Sequence, residues 1–434
     1  MLVCGQCVHT FLMRYFFYLL LLTSFLFSRD FTVASYNVEN LFDMQNNGHE
    51  YPEYRPNKHG WSHKTLQQKL ANISEVICDL NADIIGLQEI ENQNALKLLQ
   101  KSLRQYGCHY KYSSISQTKQ SAIQVALLSK FPIQSSRDII VSRLKGLRNI
   151  LEVKIDIEDN PLYIYVNHWN SKRSSESKRV ASAKALQRRL RTLPVSTEYI
   201  LLGDFNSNYN EYHTMEPRHN DTLGRTGINH ILLTTSNNRL IRECSIKKIP
   251  YSHYNLWLEL PIYKRWSHNF YGKKQGLDAI LLPHSLLDGK GIDYVDGSFN
   301  VLKKSYLFHK KGYIYRWEYR NKRHRGKGYS DHLPVIATFS TKAYRQQNCH
   351  IKNSNIQTLY QKRVDLPIRL KDVQVIQAKK NQITLQDKKG KEIRLFGMDT
   401  PLILGKSYDI IVYQRKFYKG AYEIVDYSIE KEYD

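Results

Sequence analysis

The sequence predicts a mixed α/β domain followed by a small all-β module. Three observations predict it. Strand and helix signals alternate from residue 31 onward. After Thr341 the composition shifts to a polar stretch and then to short alternating runs. Hydrophobic residues make up 41% of the 434 positions, enough to fill the cores of one large and one small domain.

In chain order, the first strand falls at 31–38. Leu66, Leu70, Ile73, Ile77 and Leu80 then recur at helical spacing and mark a helix over 63–80. A short apolar strand follows at 84–88 and a second helix at 94–106. Further strands are expected at 123–128, 150–157, 162–167, 199–203, 277–282 and 335–339, with a basic helix at 174–193. Residues 342–360, rich in Asn and Gln, read as a linker. Beyond it, runs at 373–376, 383–386, 393–396, 408–413 and 422–425 are separated by turns at 387–391 and 419–420. Short strands at this spacing suit an OB-like barrel over 361–434; a small β-module with no binding role is the alternative.

The first 28 residues differ from the rest. An apolar run at 16–27 follows Arg14 and ends at the small residue Ser28, the pattern of a secretory signal peptide. Spanning a bilayer takes about 20 apolar residues, so an uncleaved anchor is the weaker reading. The expectation is an exported protein, periplasmic or extracellular, monomeric and without a stable membrane span after cleavage near Ser28. Translation could begin at Met1 or at Met13. Cys4 and Cys7 fall before the apolar run, so their spacing is read as chance. Export permits oxidation of a pair among Cys78, Cys108, Cys244 and Cys349, and the sequence does not choose which.

The formal net charge of +24 attracts polyanions, nucleic acid or an anionic membrane surface. Five polar islands stand at ends of expected strands, where α/β layers assemble sites. They are Ser35-Tyr36-Asn37-Val38-Glu39, Gly86-Leu87-Gln88-Glu89, Asn167-His168-Trp169-Asn170, Gly203-Asp204-Phe205-Asn206, and Ser330-Asp331-His332, the last helped by Gly276-Leu277-Asp278 upstream. Each alone is weak, since Gly-Asp-x-Asn by itself is most often a turn.

Together, in this order, the islands resemble the endonuclease/exonuclease/phosphatase (deoxyribonuclease I-like) superfamily over about residues 31–340. The resemblance leaves the C-terminal module uncovered. It implies two packed β-sheets flanked by helices in a catalytic domain spanning 29–341. It also implies hydrolysis of a phosphodiester with Mg²⁺, or alternatively Mn²⁺ or Ca²⁺, because hard oxygen ligands suit those ions. On this reading Glu89, Asn37 and Asp331 hold the metal, with Glu39 a weaker candidate. Asp204 positions or deprotonates the water, and Asn206 donates to a phosphate oxygen. His332 contacts the scissile phosphate, oriented by Asp278. His168 completes a pair of histidines that is more like deoxyribonuclease I, the sphingomyelinases and the phosphatases than the abasic-site endonucleases.

Nucleic acid is the expected partner, DNA ahead of RNA. Residues 303–328 interleave Lys and Arg with Tyr306, Tyr313, Tyr315, Trp317 and Tyr319, a composition that fits a nucleic-acid groove, with a solvated, poorly ordered hairpin as the alternative. Lys322, Arg323 and Arg325 are its candidate phosphate contacts, and Arg173 and Arg179 are two more near His168. Arg148, at the mouth of a strand, is read as a phosphate contact or a salt-bridge partner. The alternative functions are a secreted phospholipid phosphodiesterase of sphingomyelinase type, which exposed aromatic hairpins would favour, and a non-catalytic nucleic-acid-binding protein.

Overall fold

A computed structural model describes residues 29–119, 121–142, 146–237, 239–342, 344, 349–379, 382–396 and 402–433. The signal peptide expected over 1–28 lies outside the described residues.

The first, larger domain is two β-sheets packed face to face with helices outside. In the first sheet, strand β1 (Asp30–Leu41) lies centrally. It pairs in parallel with β2 (Ile84–Ile90) and antiparallel with Val335–Ser340, and β4 (Gln124–Ser129) and β3 (Tyr112–Ile115) extend the far side. The second sheet runs Tyr254–Asn255, Asp278–Leu282, β8 (Tyr199–Asp204), β7 (Asn160–His168), β6 (Ile150–Ile157) and β5 (Ile133–Ile139). Central strands are buried on both faces, so they read as continuous apolar runs such as Tyr-Ile-Leu-Leu in β8. The two sheets approach closely at Gly86, where an added Cβ would lie 2.3 Å from the Leu202 side chain. Even a methyl group there would force the layers apart.

The helix His63–Leu80 begins where the Ser62 hydroxyl accepts from the Thr65 amide and ends at Asn81 in the left-handed conformation. Its apolar stripe, Leu66, Leu70, Ile73, Ile77 and Leu80, is buried as the periodicity requires. Among the described residues, no helix is long and apolar enough to cross a membrane.

The C-terminal module is a closed five-stranded barrel. Its strands Ile368–Lys379, Gln382–Gln386, Glu392–Phe396, Ser407–Tyr418 and Ala421–Tyr433 are ordered 1-2-3-5-4 and close back onto the first. The third and fifth run parallel. The expected linker is partly structured: Lys352–Ser354 pairs with the first barrel strand, and Ile356 and Leu359 enter the barrel core. The four cysteines form two disulfides, Cys78–Cys108 within the domain and Cys244–Cys349 from the domain to this segment. Asp426 of the barrel accepts from Arg242 and Arg265 of the first domain at 2.5 Å each, with Arg265 and Asp426 almost fully buried.

Candidate active site

Register alone assembles half the site. In the second sheet His168 pairs with Asp204, and Asp204 pairs with Asp278, so three functional residues lie side by side across three strands. In the first sheet Asn37 pairs with Gln88, one residue before Glu89. Val335 pairs with Ser35, which brings Asp331 and His332 to the same edge. Both strands of the first sheet break register there, β1 between Asn37 and Leu41 and β2 between Gln88 and Ile90. Glu39, Glu89 and Asn206 all have positive φ, at 52°, 68° and 48°. Left-handed backbone is costly for such residues and collects at functional sites, and a bulge re-aims a side chain that regular pleating would bury elsewhere. Gly203 is required for closeness: a Cβ there would sit 2.0 Å from the Asn167 carbonyl oxygen.

Asp204 is the hub. His168 Nε2 lies 3.7 Å and His332 Nε2 3.8 Å from its Oδ2, and the Asn37 side-chain amide donates to the same oxygen at 3.2 Å. The Asn206 backbone N–H donates to Asp204 Oδ1 at 2.8 Å. His332 Nδ1 is 2.7 Å from Asp278 Oδ2, and the Ser267 hydroxyl donates to that carboxylate oxygen at 2.6 Å. His168 Nδ1 is buried with no partner among the described residues. The two imidazoles are therefore unlike. Burial opposes charging both, and Arg148 and His332 push His168 further, so its pKa falls well below the ordinary value. Asp278, Asp204 and Asp331 outweigh burial at His332 and raise its pKa well above it. Burial lifts Asp204 to about 7, against the pull of His332.

The donor set fits a divalent cation. Glu89 is raised by burial and then by the charge of Asp331. Two half-buried carboxylates that repel each other are stabilised by a cation between them, and their oxygens suit hard ions. His168 Nε2 is also 3.7 Å from Glu89 Oε1. Asn37, expected as a ligand, lies between the acids: its amide nitrogen donates to Glu89 at 3.1 Å while one lone pair of its oxygen accepts from the Glu39 N–H, which leaves the other lone pair for an ion. Glu39 is taken up by the Arg316 guanidinium and the Trp317 N–H. Burial and Asp331 lift it to about 7. Arg316 also lies 3.4 Å from Asp331 Oδ2.

The expected arginines separate. Arg179 is fully buried; it pairs with Glu176 at 2.7 Å and donates to the carbonyls of Asn170, Ser171 and Ser174. Its assignment to substrate is corrected: it has no surface to offer, and it shapes the loop after His168. Arg148 is half-buried and donates from Nε and Nη2 to the carbonyls of His168 and Trp169, and among the described residues it makes no salt bridge. The Asn206 amide donates to Trp169 O at 3.0 Å. Arg173 is exposed, as are Lys322, Arg323 and Arg325. The last three belong to an ordered hairpin, Tyr319–Arg320 with Arg323–His324, whose buried His324 accepts from Trp317 and packs on Tyr54 and Trp61.

Two participants had no readable signal. Ser267 holds Asp278, and the His268 ring lies tilted with its centroid 4.8 Å from that of His332, with nitrogen and carboxylate atoms of His268, Asp331 and His332 all within 4.8 Å of one another. Both lie in a stretch that paired with the site only on folding.

Residues 32–232 match the model described as the Endonuclease/Exonuclease/phosphatase family. The match covers just under half of the chain. The matched region holds Asn37, Glu89, His168, Asp204 and Asn206, whereas Asp278, Asp331 and His332 lie beyond it and reach the family site through sheet pairing. Solved structures similar to this chain include a humanized D. rerio TDP2, with TM-score 0.45 and 15% identity over 71% of this chain and 98% of that one. An AP endonuclease from Archaeoglobus fulgidus gives TM-score 0.44 and 15% identity over 71% and 98%. SmcL gives TM-score 0.43 and 20% identity over 72% and 99%. No curated protein matches the chain.

Proposed function

We propose that this chain is an exported, divalent-metal-dependent nuclease that hydrolyses phosphodiester bonds of nucleic acid. The observation that carries the chemistry is the convergence of His168 and His332 on Asp204, with His332 held by Asp278. An imidazolium beside a buried carboxylate poised near neutrality suits acid–base work on a phosphate ester. Asp204 takes a proton from the attacking water. His332 neutralises charge on the phosphoryl oxygens, and neutral His168 accepts a hydrogen bond on the opposite side. Glu89 and Asp331 would hold Mg²⁺, which when bound supplies charge neutralisation and activation of water. The net charge of +24 and the exposed Lys322, Arg323 and Arg325 support a polyanionic substrate. The two disulfides support an oxidising compartment.

A second reading has its own observation. The hairpin His268–Phe270 with Lys273–Gln275 starts beside His332 and carries Phe270 and Tyr271 at its tip, exposed to 47% and 91%. Aromatic tips flanked by Lys273 and Lys274 suit an anionic or zwitterionic lipid surface. That would make the substrate a phospholipid phosphodiester. One assay separates the readings: mature protein with circular DNA, linear DNA, RNA and sphingomyelin, with and without EDTA. Nucleic-acid hydrolysis abolished by EDTA is expected. Sphingomyelin hydrolysis alone transfers the assignment to lipid, and full activity in EDTA after metal-free preparation removes the metal.

A further inference from the structure

One large cavity lies away from the catalytic centre. This is a groove of about 1270 Å³ between segment 259–263 of the catalytic domain and the outer face of the barrel. Its size exceeds the roughly 300–1,000 Å³ of ordinary small-molecule sites. Alternation builds its floor. On strand Glu392–Phe396, Ile393 and Leu395 point into the barrel core, so Arg394 and Phe396 face out. The end of the fourth strand adds Lys416 and Tyr418, the turn after it Lys419, and the end of the first strand Lys379. Among the described residues, none of Lys379, Arg394, Lys416 and Lys419 makes a salt bridge, and the groove's two acids, Glu259 and Glu423, the latter cross-strand from Arg394 and Lys416, leave it with a net positive lining. Three rings stand exposed beside these cations, Tyr263 at 65%, Phe396 at 54% and Tyr418 at 46%.

We propose that this groove binds single-stranded nucleic acid, as a site separate from the catalytic centre and independent of which phosphodiester that centre cleaves. Unpaired cations suit a backbone of phosphates, and exposed rings between them suit unpaired bases that stack without regard to sequence. A folded duplex hides the base faces that such rings would take. A planar bilayer does not enter a concavity between two bodies. The groove is fixed in shape, because Gln414 on its wall is hydrogen-bonded across the boundary to Ile262 N at 3.0 Å and Leu260 O at 2.9 Å. The Arg242–Asp426–Arg265 cluster secures the same boundary.

The test is fluorescence anisotropy of the full mature chain with a labelled oligodeoxythymidylate of about 15 nucleotides, in EDTA so that no strand is cut. Two double variants, Phe396→Ala with Tyr418→Ala and Lys416→Gln with Lys419→Gln, change only exposed side chains. The ring variant is expected to weaken binding roughly tenfold or more with an unchanged salt slope. The lysine variant should lower the slope of log K against log salt by about 1.4. Hydrolysis of bis-p-nitrophenyl phosphate with metal should stay at the wild-type rate in both, reporting an intact fold and centre. Wild-type affinity in both variants overturns the proposal. So does binding of anionic vesicles but not of the oligonucleotide by the parent chain. Failure of the nuclease reading shows separately, as absent cleavage in metal.

Discussion

At the scale of single residues, two histidines with opposite electrostatics meet on one buried aspartate. His168→Ala, Asp204→Ala and His332→Ala are each expected to lower kcat by roughly 10²–10⁴-fold, the worth of a positioned acid–base group. Circular dichroism should stay native, and near-wild-type turnover in any one rejects its role. Asp278→Asn should cost less, because it acts through His332. Arg179→Ala should behave in the opposite manner. It strands the buried Glu176, so a loss of about 3–5 kcal/mol is expected in denaturant unfolding. A change in KM without a change in stability would return Arg179 to the substrate.

His253 makes a pH prediction away from the site. It is fully buried against Tyr199 and Leu232, and burial lowers its pKa to about 4. The unfolded chain therefore binds more protons than the native one between about pH 6.5 and 4. The stability it allows is complete above pH 6.5 and falls as pH drops through that window, by on the order of 3 kcal/mol. His253→Gln should flatten the dependence of Tm on pH over that range, and an equally steep curve in the variant refutes the assignment.

At the scale of elements, the informative pieces are strand ends and one hairpin. Tyr319–Arg320 and Arg323–His324 turn at Asn321 and Lys322, both left-handed, so the tip cations project while His324 anchors the underside. Neutralising Lys322, Arg323 and Arg325 together should raise KM for long nucleic acid and flatten its salt dependence. Hydrolysis of a small phosphodiester should be nearly unchanged. Retention of both wild-type affinity and wild-type salt slope would show that the hairpin does not contact the substrate backbone. Most elements were legible because their apolar period is strong: the helix His63–Leu80 and strand Ile150–Ile157 fall where the periodicity puts them. Tyr112–Ile115 and Ile133–Ile139 were not legible. Both are edge strands with few fully buried positions, so neither carries an apolar run.

At the scale of the whole molecule, the barrel is joined to the centre by a short path of one ion pair, two residues of backbone and two hydrogen bonds. Asp426 holds Arg265, and two residues on Ser267 holds Asp278, the partner of His332. Asp426→Ala leaves the buried Arg265 without its counter-charge, which costs about 3–5 kcal/mol at such a site. The expected outcome is a lower Tm together with a lower kcat for a small phosphodiester, whereas a surface variant such as Lys388→Ala should change neither. Unchanged kcat in a destabilised Asp426→Ala protein would separate the barrel from the catalytic geometry.

The sequence by itself determined the two-part organisation, the strands and helices with strong periodicity, and the identity of the carboxylates and histidines at the strand ends. Local order is enough for these, because apolar period and turn residues act over a few positions. Only the tertiary structure decided which polar groups meet. Arg179 and Arg173 are six positions apart in a basic segment, and packing alone buried one and exposed the other. Asn37 became a donor to acids 52 and 167 residues away, and Glu39 a partner of Arg316, 277 residues away. His268 and Ser267 joined the site because the strand pairing that aligns Asp278 with Asp204 also carries their segment to His332. Charge neutralisation in a buried site depends on the nearest few ångströms, and that neighbourhood exists only once distant segments have packed.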